Sequence, residues 1–114
     1  MRNTRPINWL KGARRDFEAF PQGAQQEMAR ALTILAEGEM PDIAKPLAGF
    51  GSGIMELALR YRGDAFRVVY ALQIGDDIWV VHAFQKKSKT GIKTPRQEID
   101  LIHERLKRLR EILR

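Results

Sequence analysis

The sequence predicts an α+β domain in which an antiparallel sheet packs against helices, and three observations predict it. Apolar residues recur at helical spacing in two well-separated segments, Gln22–Gly38 and Pro95–Leu113. Between them, from Ile54 to Gln85, the period changes to two, as in strands whose side chains alternate between faces. Gly63-Asp64 and Gly75-Asp76-Asp77 divide that stretch into three strands of a meander. Helices set apart from a run of hairpin-linked strands belong to the α+β class.

The elements follow in chain order. RPINWL (5–10) is short and partly alternating and reads as a strand; Pro6 has no N–H to give a ladder, which places it at an edge. GARRDFEAF (12–20) reads as a short helix that stops before Pro21, because a residue preceding proline avoids the helical region. In QGAQQEMARALTILAEG (22–38), Ala24, Met28, Ala31, Leu32 and Leu35 share one helical face and Gly38 supplies a C-terminal stop. Residues 39–53, EMPDIAKPLAGFGSG, carry two prolines and three glycines and read as a loop.

Within the meander, Met55, Leu57, Leu59 and Tyr61 lie on one face of the first strand, opposite Glu56, Ala58, Arg60 and Arg62. In the second, Phe66, Val68, Tyr70, Leu72 and Ile74 oppose Arg67. The third, IWVVHAFQ (78–85), is apolar on both faces, as a central strand should be. After a basic loop, Thr94 is expected as the N-cap of a last helix and Pro95 in its first turn. Ile99, Ile102, Leu106, Leu109 and Leu113 form a narrow apolar stripe along that helix. The stripe suits packing on the sheet, or the binding of a partner.

The 114 residues suit one domain over 1–114, with no repeat or linker, and 44% hydrophobic content suits a single core. Twenty Lys and Arg against fourteen Asp and Glu give +6, an excess that favours phosphate-bearing or acidic partners. Without cysteine there is no disulfide framework, thiolate nucleophile or Cys-based zinc site. The N-terminus lacks the apolar run of a signal peptide, and no stretch approaches the roughly 20 apolar residues of a membrane span. A cytoplasmic protein with no membrane partner is the expectation.

Arg60 and Arg67 stand opposite the main apolar rows of adjacent strands and read as near neighbours across the sheet. Two such cations repel unless an anion lies between them; the alternative is two solvated arginines on an exposed face. Lys86, Lys87, Lys89 and Lys93 follow the third strand with no acidic residue among them. They read either as phosphate contacts or as charges that keep the end of an apolar strand soluble. His82, inside an apolar strand, reads as a hydrogen-bonded structural histidine, and two distant histidines offer no metal site. Ser52 in GFGSGI lacks the nucleophile-elbow context, and the positions of Asp64, Asp76 and Asp77 in turns account for them.

RPINWL, the Phe20-Pro21 helix break, ALTILAEGEMPDIAKPLAGFGSGIMEL, RYRGDAFRVVYAL and above all HAFQKKSKTGIKTPRQEI resemble the phage-derived Gp49-like, HigB-type branch of the RelE/ParE toxin superfamily. The likeness runs from about Arg5 to Arg108. It implies a RelE-like fold and a toxin of a type II toxin–antitoxin pair. Many relatives cut mRNA in the ribosomal A site and are neutralised by a helix-turn-helix antitoxin. In such nucleases the working groups are basic residues on the meander and just after it. By that resemblance Arg67 matches a catalytic arginine, Lys86 and Lys87 the basic pair after the last strand, and Arg60 a basic position on the preceding strand. Lys89, Lys93 and Arg62 would make outer contacts to mRNA or rRNA, and Phe84 would stack on a base or belong to the core.

The chemistry suits these residues. Attack by a ribose 2′-OH on its phosphate needs in-line positioning and stabilised charge on the phosphoryl oxygens, which arginine's fork supplies. A lysine with a depressed pKa could carry the proton, and no cofactor or metal is required. The chain departs from relatives that place lysines where it has Glu56 and Ala58, and no tyrosine follows Tyr70. Two rivals stay open: a ParE-like toxin of DNA gyrase, and a catalytically inactive module that binds RNA or only its antitoxin.

Overall fold

The computed structural model describes residues 4–86 and 94–113. Its elements run β1 (Ile7–Trp9), α1 (Lys11–Glu18), α2 (Gln22–Ala36), β2 (Ala44–Pro46), β3 (Ile54–Tyr61), β4 (Asp64–Ala71), β5 (Ile78–Lys86) and α3 (Arg96–Ile112). The α+β class and the order of the predicted elements hold. They form one five-stranded sheet in the order β1-β5-β4-β3-β2.

Two details of the sheet differ from expectation. The edge strand β1 runs parallel to β5, Ile7 to Trp9 facing Ile78 to Val80, because the chain returns to it through two helices and a meander. The proline- and glycine-rich segment contains a short strand, β2, antiparallel to β3 with Lys45 opposite Glu56. Three residues ending in proline carry too little period to be read as a strand, and Pro46 is tolerated because β2 is the other edge.

Both faces of the sheet are covered. One apolar cluster joins Phe17, Met28 and Leu32 of α1 and α2 to Leu57, Phe66, Val68, Tyr70 and Val80. The other joins Ile102, Leu106 and Leu109 of α3 to Ile54, Val69, Val81 and Phe84. This explains why β5 is apolar on both sides: it lies between two layers of helix. A bulge opposite Val69 and Tyr70 keeps both rows of β5 facing their proper cluster.

The β3–β4 hairpin turns on Arg62 and Gly63, both at positive φ, 50° and 86°, a pairing that matches the twist of the flanking strands. Ile74 leaves the row assigned to it, since β4 ends at Ala71 and Ile74 packs on the α3 side. Pro95, not Thr94, occupies the N-cap of α3, and no side chain caps that helix.

Candidate active site

The far end of the meander, on the α3 side, brings together three of the basic residues singled out in the sequence, Arg60, Arg67 and Lys86. Strand register sets them in rows. Arg60 and Lys86 flank Ala65; Ala58 and Phe84 flank Arg67; Glu56 lies between Lys45 and Val69. Arg60 and Arg67 are therefore diagonal neighbours on one face, as their alternation predicts. Two alanines between the cations leave a shallow groove of about 180 Å³ lined by Ala58, Arg60, Ala65 and Arg67.

The anion between the arginines turns out to be supplied by the chain itself. Arg67 Nη1 donates to Glu56 Oε1 at 2.6 Å, and both side chains are largely enclosed. Glu56, only 6% exposed, is the residue that sequence reasoning passed over as a departure. It sits on the row opposite the apolar one and reads as solvent-facing until α3 is known to cover that face. Arg67 Nε is also enclosed, with no hydrogen-bond partner among the described residues. The remaining 17% of the side chain that is exposed lines the groove, and that part of the guanidinium is where a second anion would meet it.

Lys86 is buried, 3% exposed. Its ammonium is held below the ordinary lysine range by desolvation first, then by the charge of Arg67, with Lys45 adding to the effect and Glu56 opposing it. Lys45, on the unforeseen β2, thus joins the basic group; nothing in a loop reading could have placed it there.

Other residues fare differently. Arg60 is exposed at the rim. Arg62 is drawn away from the group, its guanidinium 5.3 Å over the ring of Tyr61, whose neighbours lie on the α1 and α2 face. Phe84 is 7% exposed and stacks on His82 at 5.3 Å between centroids, which makes it a core residue. Lys87, Lys89 and Lys93 lie outside the described residues. Among those described, no three His, Asp or Glu side chains gather as a metal would need.

His82 behaves as a structural histidine, with a wider role than its strand suggested. Arg105 Nη1 donates to His82 Nδ1 at 2.8 Å and to the Val81 carbonyl at 3.1 Å. The proton must then be on Nε2, which donates to Glu98 Oε1 at 2.7 Å. Arg105 also faces Asp16 of α1 at 3.7 Å, and a Cβ at Gly12 would collide with its guanidinium. Burial lowers the His82 pKa, outweighing the hydrogen bond to Glu98. This chain ties the first turn of α3 to β5, beside Phe84.

Residues 15–107 match the family model described as "Phage derived protein Gp49-like (DUF891)". The chain belongs to the Gp49-like family. Among solved structures it is similar to the toxin–antitoxin complex RelBE2 from Mycobacterium tuberculosis, with a TM-score of 0.52 and 17% identity, over 73% of this chain and 92% of that one. At that identity the likeness is one of fold: this Gp49-like chain has a RelE-type architecture. No curated protein matches it. The Gp49-like match spans the whole meander and the His82–Glu98–Arg105 chain, so the residues described above lie within the family's own segment.

Proposed function

We propose that this Gp49-like protein is the toxin of a type II toxin–antitoxin pair and acts as a ribosome-dependent mRNA endoribonuclease. The observation that carries the reading is Arg67: a largely enclosed guanidinium, oriented by Glu56 and lining a groove, beside Arg60 and Lys86 on one sheet face. In the reaction the ribose 2′-oxygen attacks the adjacent phosphorus and the bond to the 5′-oxygen breaks, leaving a 2′,3′-cyclic phosphate and a 5′-hydroxyl. Arg67 stabilises the charge that builds on the phosphoryl oxygens. Glu56 keeps Arg67 in one orientation. Arg60 holds the flanking phosphate, and Lys86, whose proton is loosened by burial and its cationic neighbours, exchanges protons with the 2′- or 5′-oxygen.

In this reading Lys87, Lys89 and Lys93, which follow Lys86 in the sequence, contact phosphates of mRNA and rRNA. The similar solved structure is a toxin–antitoxin complex, which supports an antitoxin as the partner here; the cognate antitoxin in this reading is of helix-turn-helix type. The setting is the cytoplasm, where ribosomes are; among the described residues no helix is long and apolar enough to cross a membrane.

The test is induction in cells, followed by analysis of mRNA ends and plasmid topology in the same samples. Growth arrest with new mRNA 5′ ends inside codons, and unchanged supercoiling, is the expected result. Altered supercoiling with intact mRNA would transfer the chain to the gyrase-directed class. No arrest and no cutting from folded protein would make it a binding module.

A further inference from the structure

Next to the Arg67–Glu56 pair, on the same sheet face, lies a cavity of about 260 Å³ between the sheet and the start of α3. Buried Val69, Phe84, Ile102 and Glu56 line its depth, and the partly exposed Phe50 and Ile99 line its mouth. Phe50 is braced there by the ring of His103, 4.2 Å away between centroids. The lining is mostly apolar and aromatic, and its polar side chains are the Glu56 carboxylate and the Thr94 hydroxyl. That composition suits a flat, largely apolar ligand carrying a hydrogen-bond donor. The volume falls just under the roughly 300 Å³ at which drug-sized ligands begin, so the ligand is small.

Position narrows the choice further. Glu56 serves both places, since its Oε1 accepts from Arg67 and the residue lines the cavity. Phe84 is the cross-strand partner of Arg67, and Val69 lies two residues along β4, about 7 Å from it. That is about the span of one nucleotide from phosphate to base. Unstacked RNA bases are read in this manner, by enclosure against rings and hydrogen bonds to their edges. A carboxylate accepts from the exocyclic amino groups of cytosine, adenine or guanine and is repelled by the carbonyl edge of uracil.

We propose that this cavity is a nucleobase-reading site, in which Glu56 selects an amino-bearing base over uracil while Arg67 holds the attached phosphate. The inference rests on the nuclease reading for its biological meaning, but its test does not depend on cutting. The full-length protein is titrated with AMP, CMP, GMP, UMP and ribose 5-phosphate, and the methyl resonances of Val69, Ile99 and Ile102 are followed by NMR. AMP, CMP or GMP should move these methyls with an affinity at least fivefold above that of UMP, and ribose 5-phosphate should leave them in place. Ile99→Trp, which fills the mouth, should abolish the shifts of Val69 and Ile102 while those near Arg60 persist. Glu56→Gln, which keeps an oxygen for Arg67 but offers a donor as well, should bring UMP level with the others. Equal shifts with ribose 5-phosphate, no preference against UMP, or methyls that respond to no nucleotide would overturn the proposal. Base reading without mRNA cleavage would instead leave the cavity standing and sink the nuclease.

Discussion

Arg67 and Glu56 cannot be treated as independent residues. Removing the arginine leaves a carboxylate buried without its counter-charge, which costs about 3–5 kcal/mol in comparable pairs. Arg67→Ala should therefore unfold at markedly lower denaturant than the parent, and lost activity in that variant would say nothing about chemistry. Arg67→Met with Glu56→Gln removes both charges, and denaturant titration should show that most of the stability returns. Activity should not: loss of a transition-state donor of this kind lowers cleavage by about 10²–10³-fold. Lys86→Arg provides a second separation at this scale. It keeps the charge but replaces a group able to release its proton, so single-turnover cleavage should fall by about 10²-fold or more while RNA affinity holds. Arg60, Arg67 and Lys86 were legible from strand alternation and from resemblance, and Lys45, on a strand that reads as loop, was not. Glu56 was not, because an alternating strand reports which residues share a face and never whether a helix covers it.

At the scale of elements, α3 is held by two different forces. Ile102, Leu106 and Leu109 bury its stripe, and Leu106→Ala should cost about 2–5 kcal/mol in equilibrium unfolding. Its first turn is held by the chain from Asp16 through Arg105 and His82 to Glu98. His82 is neutral in the fold, and burial depresses its pKa below the 6.5 of an unfolded histidine. Above that pH neither state binds the proton and the contribution is intact. As pH falls below about 6.5 the unfolded chain takes up a proton that the folded chain resists, so stability declines with acidity. Thermal unfolding followed from pH 7.5 to 5 should show this decline, and His82→Gln should flatten it. The helices and the meander were readable from period alone. The parallel seating of β1 was not, since pairing across seventy residues leaves no local trace, and neither was β2, whose three residues look like the loop around them.

For the whole molecule, the excess of six positive charges matters less than where it collects. Arg60 and Lys86 share one cross-strand row, Lys45 lies four residues along the same face beside Glu56, and the apolar cavity opens beside them. Binding to single-stranded RNA should weaken linearly in the logarithm of salt concentration, and Arg60→Ala should reduce the slope by about 0.7, one phosphate's worth. Fluorescence anisotropy across a salt series reads both quantities. The most direct test of the central claim is primer extension on a defined mRNA with purified protein, with and without programmed ribosomes. The Arg67→Met, Glu56→Gln double variant runs in parallel. Cuts at the A-site codon that require ribosomes and disappear in the folded double variant are the expected result. Cuts that persist in the double variant, or uncut mRNA with a wild-type protein that arrests growth, would contradict the claim.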